Sequence, residues 1–286
     1  MGEKMALEKE EYVEQAYFFR VLRERISQGL STQEILKSLD QEILSTTKLP
    51  MAIGFLRSEL KHSGNLSGGF DRLSHYFTAF QAHVIRSAEN DRMKFSIHHA
   101  LSCLEKEAVY RSGNPTPSGL FIYQFEVLSR NRLGYEDGLN AIAKDAFYSK
   151  EWQGFIADAR NQLAVVDFAD LIYLRSDWYI IEQRRKDPAY DPALCPLFGE
   201  KEGKIAGANR SRDPLYLFAA LQRQLGYPEV PRYTEKTQEQ ALLTVLQSKV
   251  RDLEGRIRLL EQETKGIVDL AEFAKPQLLR EDDDDA

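Results

Sequence analysis

No window of about 18 apolar residues occurs in this chain of 286 residues, so the sequence predicts no membrane-spanning helix. The opening MGEKMALEKEEY is charged and amphipathic, without the apolar stretch of a secretory leader. Cysteine is scarce. Cys103 and Cys195 stand far apart and belong to no Cys-x-x-Cys pattern, which argues against a disulfide framework and against a cysteine-rich zinc site. A cationic surplus is missing too: 38 Lys and Arg face 44 Asp and Glu, and Glu281 to Asp285 supply five of the negative charges. A body that is nearly neutral without that tail is poorly suited to nucleic acid. The expectation is a soluble, cytoplasmic protein with no cofactor and no nucleic-acid partner.

What the chain has instead is helical periodicity. From Lys9 to about Arg111 apolar residues recur three or four apart, as in Tyr12, Ala16, Phe19, Leu22 and Ile26. Gly29 suits a left-handed helix end, and Ser31 with Glu34 forms a Ser-x-x-Glu capping box for the next helix, flanked by Leu30 and Ile35 as a hydrophobic staple. Pro50 suits the first turn of a third helix, Ser63-Gly64-Asn65 stops it, and Ser67 is placed to cap a fourth. Two further helices run through Phe77 to Ile85 and Phe95 to Val109, making about six in residues 1–111. No β-branched run bounded by turn signals intervenes, so no strand is required.

SGNPTPSG, residues 112–119, reads as a linker or exposed corner. The second helical block, 120–185, aligns with the first at an offset of 103 residues. Phe18 then falls on Phe121, Leu30 on Leu133, Leu36 on Leu139, Ile53 on Ile156, Arg57 on Arg160 and Leu60 on Leu163. That register is consistent with a degenerate internal repeat. Residues 186–233 read as a Pro/Gly-rich loop containing one short helix, 214–225, that Asp213-Pro214 starts and Gly226 closes, after which YPEVPR leads away from the body.

Residues 234–275 carry the strongest periodic signal. Leu243, Leu246, Val250, Leu253, Ile257 and Leu260 alternate at intervals of three and four, with Thr264 and Ile267 continuing the seam. β-branched residues at most a positions with leucine at most d positions favour a parallel two-stranded coiled coil. In that arrangement Lys249 meets the partner's Glu254, and Arg256 meets the partner's Glu261, both attractive. The expectation is a homodimer; a lone amphipathic helix folded back on its own body is the competing arrangement. Residues 276–286 are expected to form a disordered acidic tail.

Candidate chemistry is thin. His98 and His99 beside Glu105 lack the i, i+4 spacing that puts two ligands on one helix face, so no metal site is expected. Asp167 and Asp170 read as a solvated acidic pair. LFGEKEGKIAGANR offers Lys201, Lys204, Arg210 and, just beyond it, Arg212 among Gly199, Gly203 and Gly207, a candidate anion-binding loop. It lacks the Gly-Lys-Ser/Thr ending and the preceding strand of a P-loop. The competing reading packs its own Leu197, Phe198 and Ile205 onto the helices. The aromatic run 171–182 reads as core.

YFFRVL, GLS and ILKSL in the first two helices, then LRSELKHSGNLSGGFDRL and IRSAENDRMKFSIHHALSCLEKE, resemble the type II secretion system F domain over about residues 12–111. The resemblance implies an antiparallel six-helix bundle that docks protein partners and is repeated in full-length members. The match is incomplete: Ala88-Glu89 and Arg92 stand where the family places glycine, glutamate and glycine, and no transmembrane helix follows the block. The role this suggests is a non-enzymatic scaffold or adaptor, dimeric through its coil and able to associate with a membrane-bound assembly. The alternative is a ligand- or phosphate-binding enzyme using the 197–212 loop.

Overall fold

The computed structural model describes residues 7–232 apart from 91 and 164, and beyond them Leu246, Val250, Leu253, Glu254 and Ile257. The described residues form thirteen helices and no strand. In the first half these are α1 (Lys9–Ser27), α2 (Thr32–Glu42), α3 (Leu49–Ser63), α4 (Ser67–Arg72), α5 (Ala79–Ala88) and α6 (Ile97–Ser112). The second half comprises α7 (Pro117–Asn131), α8 (Tyr135–Ala143), α9 (Lys150–Gln162), α10 (Phe168–Leu174), α11 (Asp177–Lys186), α12 (Glu200–Ala208) and α13 (Pro214–Leu225). The fold is all-α, and among the described residues no helix is long and apolar enough to cross a membrane.

Local chemistry sets the corners. Gly29 takes φ +85° and closes α1, and Ser31 and Glu34 make both halves of the capping box, each backbone N–H donating to the other residue's side-chain oxygen at 3.3 Å. The staple is not formed as expected, since Leu30 is half exposed while Ile35 is buried. Ser67 is the first residue of α4 rather than its cap. The N–H groups of Leu66 and Ser67 instead donate to the carboxylate of Glu89, reaching over from the end of α5. Similarly, Glu11 accepts from the N–H of Lys48 at 2.9 Å and Glu14 from that of Leu44 at 3.2 Å. Carboxylates buried on one helix thus hold the ends of others, where orphan donors would otherwise cost free energy.

The 112–119 break is a short corner rather than a spacer. α6 runs to Ser112, Thr116 caps α7 through the N–H of Gly119 at 3.1 Å, and Pro117 lies in the first helical turn. Beyond it the expected 103-residue register holds for three helices. α8 begins at Tyr135, the position that the offset assigns to Thr32, and Arg132 adopts φ +55° where Gly29 is left-handed. Phe18 and Phe121, Leu36 and Leu139, and Ile53 and Ile156 are each fully buried. From α10 onward the boundaries drift out of register.

The two halves share one apolar core, which extends from Phe18 to Val230. Phe18, Phe19, Phe70 and Phe77 cluster in the first half, with Phe70 and Phe77 stacked at 4.1 Å. Phe121, Phe125, Phe168 and Phe218 cluster in the second, with Phe125 and Phe168 stacked at 3.8 Å. YPEVPR does not lead away: Tyr227 and Val230 are buried, Lys106 donates to the Glu229 carbonyl at 2.8 Å, and His99 Nε2 lies 3.2 Å from that of Arg232. The chain therefore returns across α6.

A charged cluster sits inside the junction. Arg111 of α6 pairs with Glu107 on the same helix at 2.9 Å and with Asp145 beyond α8, all three buried. Gln124 of α7 donates to Glu107 at 2.7 Å, and Tyr148 donates to Gln124 at 2.8 Å. Burial opposes the charge on Arg111, yet Asp145 and Glu107 outweigh it and hold the guanidinium well above its ordinary pKa. Removing the cation strands two buried carboxylates. Arg111→Ala should accordingly lower unfolding free energy by about 3–5 kcal/mol in urea titration.

Histidines add a pH dependence. His83 of α5 lies 3.0 Å through Nε2 from the Leu133 carbonyl, so it bridges the halves. Burial is the main cause that depresses its pKa, helped by Arg86 and opposed by the Leu133 bond and Asp137. His99 is depressed by burial too. The unfolded chain then binds protons that the folded chain refuses. Their contribution is therefore intact above the ordinary value of 6.5 and lost as pH falls below it. Urea midpoints between pH 7.5 and 5 should fall, and His83→Gln should flatten the slope.

Candidate functional site

The four candidate anion-binding cations do not converge. Residues 200–208 are helix α12 rather than loop, which corrects the expectation of an open segment from 186 to 213. Lys201 lies in its first turn and Arg210 beyond its end, about 13 Å apart along the axis at a rise of about 1.5 Å per residue. Lys204 pairs with Glu200 at 2.5 Å and rests over the Trp178 ring at 4.3 Å. Arg210 pairs with Asp170 at 2.6 Å and stacks on Tyr173 at 3.6 Å. Lys201 and Arg212 are exposed. Asp167 caps α10 through the N–H of Ala169 and accepts from that of Ser211 at 2.9 Å, so the supposed acidic pair is divided between two tasks.

The glycines have a packing reason. Gly199, Gly203 and Gly207 recur every four residues, which places them on one helix face. A Cβ on Gly203 would strike the Ser176 hydroxyl and approach the Trp178 Cβ to 2.7 Å; one on Gly207 would meet the Tyr173 ring at 3.3 Å. Small residues let α12 close on α10 and α11, and Phe198 then buries its ring against Trp152 and Phe155. Leu197 and Ile205 pack on the same core.

This packing frames a cleft that the sequence did not signal. Phe155, Asp158, Ala159 and Gln162 of α9 form one wall, Leu171 and Leu174 of α10 a second, and Tyr179 and Ile180 of α11 a third. Tyr190, Pro192, Ala193, Leu194 and Pro196 close it, around a volume of about 280 Å³. α11 has no buried residue; the aromatic run 171–182 is thus core only in its α10 part. The closing segment is anchored at both ends. Arg184 donates to the Tyr190 carbonyl at 3.3 Å, and the N–H groups of Leu197 and Asp177 bond the Arg175 and Phe198 carbonyls at 2.8 and 2.9 Å.

Arg175 stands between α10 and α11 on the cleft wall. Its guanidinium lies over Phe155 at 5.6 Å and donates through Nη2 to the Cys195 carbonyl at 3.2 Å. Nε is enclosed without a hydrogen-bond partner, and no ion pair reaches the side chain among the described residues. Burial pulls its pKa below the ordinary arginine value, opposed by Asp158 and Cys195. The proline spacing 188, 192 and 196 was the only sequence hint that this stretch is built rather than slack.

No three His, Cys, Asp or Glu residues gather to hold a metal among the described residues. His99 is tied to Ser96, with Nδ1 2.9 Å from its hydroxyl. Cys103 is buried, which pushes its thiol up to about 12, and Cys195 is exposed. Of the proposed seam, Leu246, Val250, Leu253 and Ile257 are helical and each about half exposed, and Glu254 is helical and exposed. Leu243, Lys249, Arg256, Leu260 and Glu261, the remainder of 234–275 and the 276–286 tail lie outside the described residues. No protein-family model, curated protein or solved structure matches this chain.

Gly203→Val should destabilise the fold by about 1–3 kcal/mol, as overpacking does. Lys201→Ala on the exposed face of the same helix should stay within about 0.5 kcal/mol of the parent. Urea titration of both variants measures the difference.

Proposed function

We propose that this chain is a non-enzymatic adaptor, which docks protein partners on its helical body and pairs with a second copy through a parallel coiled coil. The observation that carries the reading is the stripe of Leu246, Val250, Leu253 and Ile257, helical and open to solvent. Half-exposed aliphatic residues at successive a and d positions lack the burial that a helix of this pattern needs for stability. A second copy supplies it, and the sequence places Lys249 and Arg256 opposite the partner's glutamates, which fixes the parallel orientation.

Two copies double the docking faces, so modest contacts on each body combine into stronger attachment to a multi-subunit or membrane-bound assembly. The six helices within Lys9–Ser112 agree in number with the resemblance to a secretion F domain. Glu89, at the corner that the resemblance includes, joins the end of α5 to the start of α4. The phosphate-binding reading of residues 197–212 loses support because Lys204 and Arg210 are already paired with carboxylates and aromatic rings.

The test is the mass in solution of the full chain and of its Leu246→Glu, Leu253→Glu double variant. A dimer that becomes a monomer, with the body's melting temperature unchanged, supports the reading. A monomeric parent, or a dimer that survives both charges, overturns it.

A further inference from the structure

The cleft behind the 187–198 segment has the attributes of a ligand site rather than a packing defect. Its walls are mostly apolar, with Arg175, Asp158 and Gln162 as charged or amide groups among them, the general pattern of small-molecule pockets. Arg175 helps hold the segment through the Cys195 carbonyl and still has donor capacity facing the cleft. Arg175 has a single hydrogen bond, to the Cys195 carbonyl, and its Nε is enclosed without one. The side chain is half-buried rather than withdrawn from water, and its enclosed Nε is a donor that an anionic group in the cleft would satisfy.

The other charge on the wall is Asp158, which is exposed and beyond ion-pair distance of Arg175 but close enough to favour its charge, so a bound carboxylate must sit on the far side of the guanidinium from it. At about 280 Å³ the cleft lies near the lower end of the roughly 300–1,000 Å³ typical of small-molecule pockets, which suits a small ligand. Leu194 at the mouth is 60% exposed, so apolar surface is left uncovered where a ligand's tail would lie.

We infer that this cleft binds a small apolar carboxylic acid, its carboxylate on Arg175 and its hydrocarbon against Phe155, Leu171 and Ile180. This goes beyond the adaptor reading and does not depend on it, because the residues involved are remote in sequence from the coil and the site is complete within one chain. The ligand class follows from three conditions met together: a cation without an ion-pair partner among the described residues, mostly apolar walls, and a volume at the small end of ligand pockets.

Octanoate is the probe, with octylamine and octanol as controls of the same length, titrated into the full chain by calorimetry and by thermal shift. Octanoate should bind saturably at one per chain and raise the melting temperature, while octylamine should not. Arg175→Met keeps the stem over Phe155 and removes the charge; it should weaken octanoate about tenfold or more and leave far-UV circular dichroism unchanged. Ala193→Trp, at an exposed position, should plug the mouth and abolish binding without touching the arginine. Absence of saturable octanoate binding overturns the proposal. So does equal binding of octylamine, or an Ala193→Trp variant that binds like the parent. Equal binding by a folded Arg175→Met variant overturns the role of the arginine and with it the ligand class.

Discussion

The buried contact of Arg111 with Glu107 and Asp145 is the interaction on which the arrangement of the two halves depends. Glu107 and Arg111 belong to the last helix of the first half, and Gln124, Asp145 and Tyr148 come from the second. None of these groups reaches water, and although Glu107 Oε2 and Arg111 Nη1 lack a hydrogen-bond partner, the bonds that are made hold only while α6, α7 and the corner after α8 keep their positions. An apolar junction of the same size would tolerate sliding, whereas a desolvated charge network does not. The guanidinium is also flanked by the rings of Tyr12 at 5.8 Å and Phe147 at 5.9 Å, which bring α1 and the α8–α9 connection into the same constraint.

The same device recurs at smaller scale. Glu11, Glu14 and Glu89 hold backbone donors of distant corners, and Glu126 accepts from the Tyr227 hydroxyl at 2.6 Å, fixing the chain's return after α13. Burial, with Glu126 beside it, keeps that phenol protonated. With corners held this way, the segments between them need little structure of their own. The stretch from 187 to 198 is held at its ends and leaves a cleft in its middle, where Arg175 is positioned by the junction of α10, α11 and α12.

Much of the fold was legible because its signals are local. The Ser31 and Glu34 box, the Gly29 end, Pro50 in a first turn and the aliphatic spacing each act within one helix, and each is found where the sequence put it. The 103-residue offset was legible for the same reason, since it rests on core positions such as Phe18 and Phe121. Non-local contacts were not legible. Ser67 looked like a cap because nothing near it announces Glu89, and YPEVPR looked like an exit because burial of Tyr227 depends on helices about a hundred residues earlier. Gly203 and Gly207 were placed in a candidate anion-binding loop, although their spacing of four fits a helix packed closely on a neighbour. The cleft had no sequence signal beyond its prolines, because it is made from four separate elements.

One continuous core and one buried ion cluster join the two helical halves into a single cooperative unit. Native-state amide hydrogen exchange in low urea tests it most directly, by comparing the slowest amides of α1 and α6 with those of α7 and α9. The account predicts one shared opening free energy with one shared urea dependence across all four helices. Two separate values, one for each half, would contradict it.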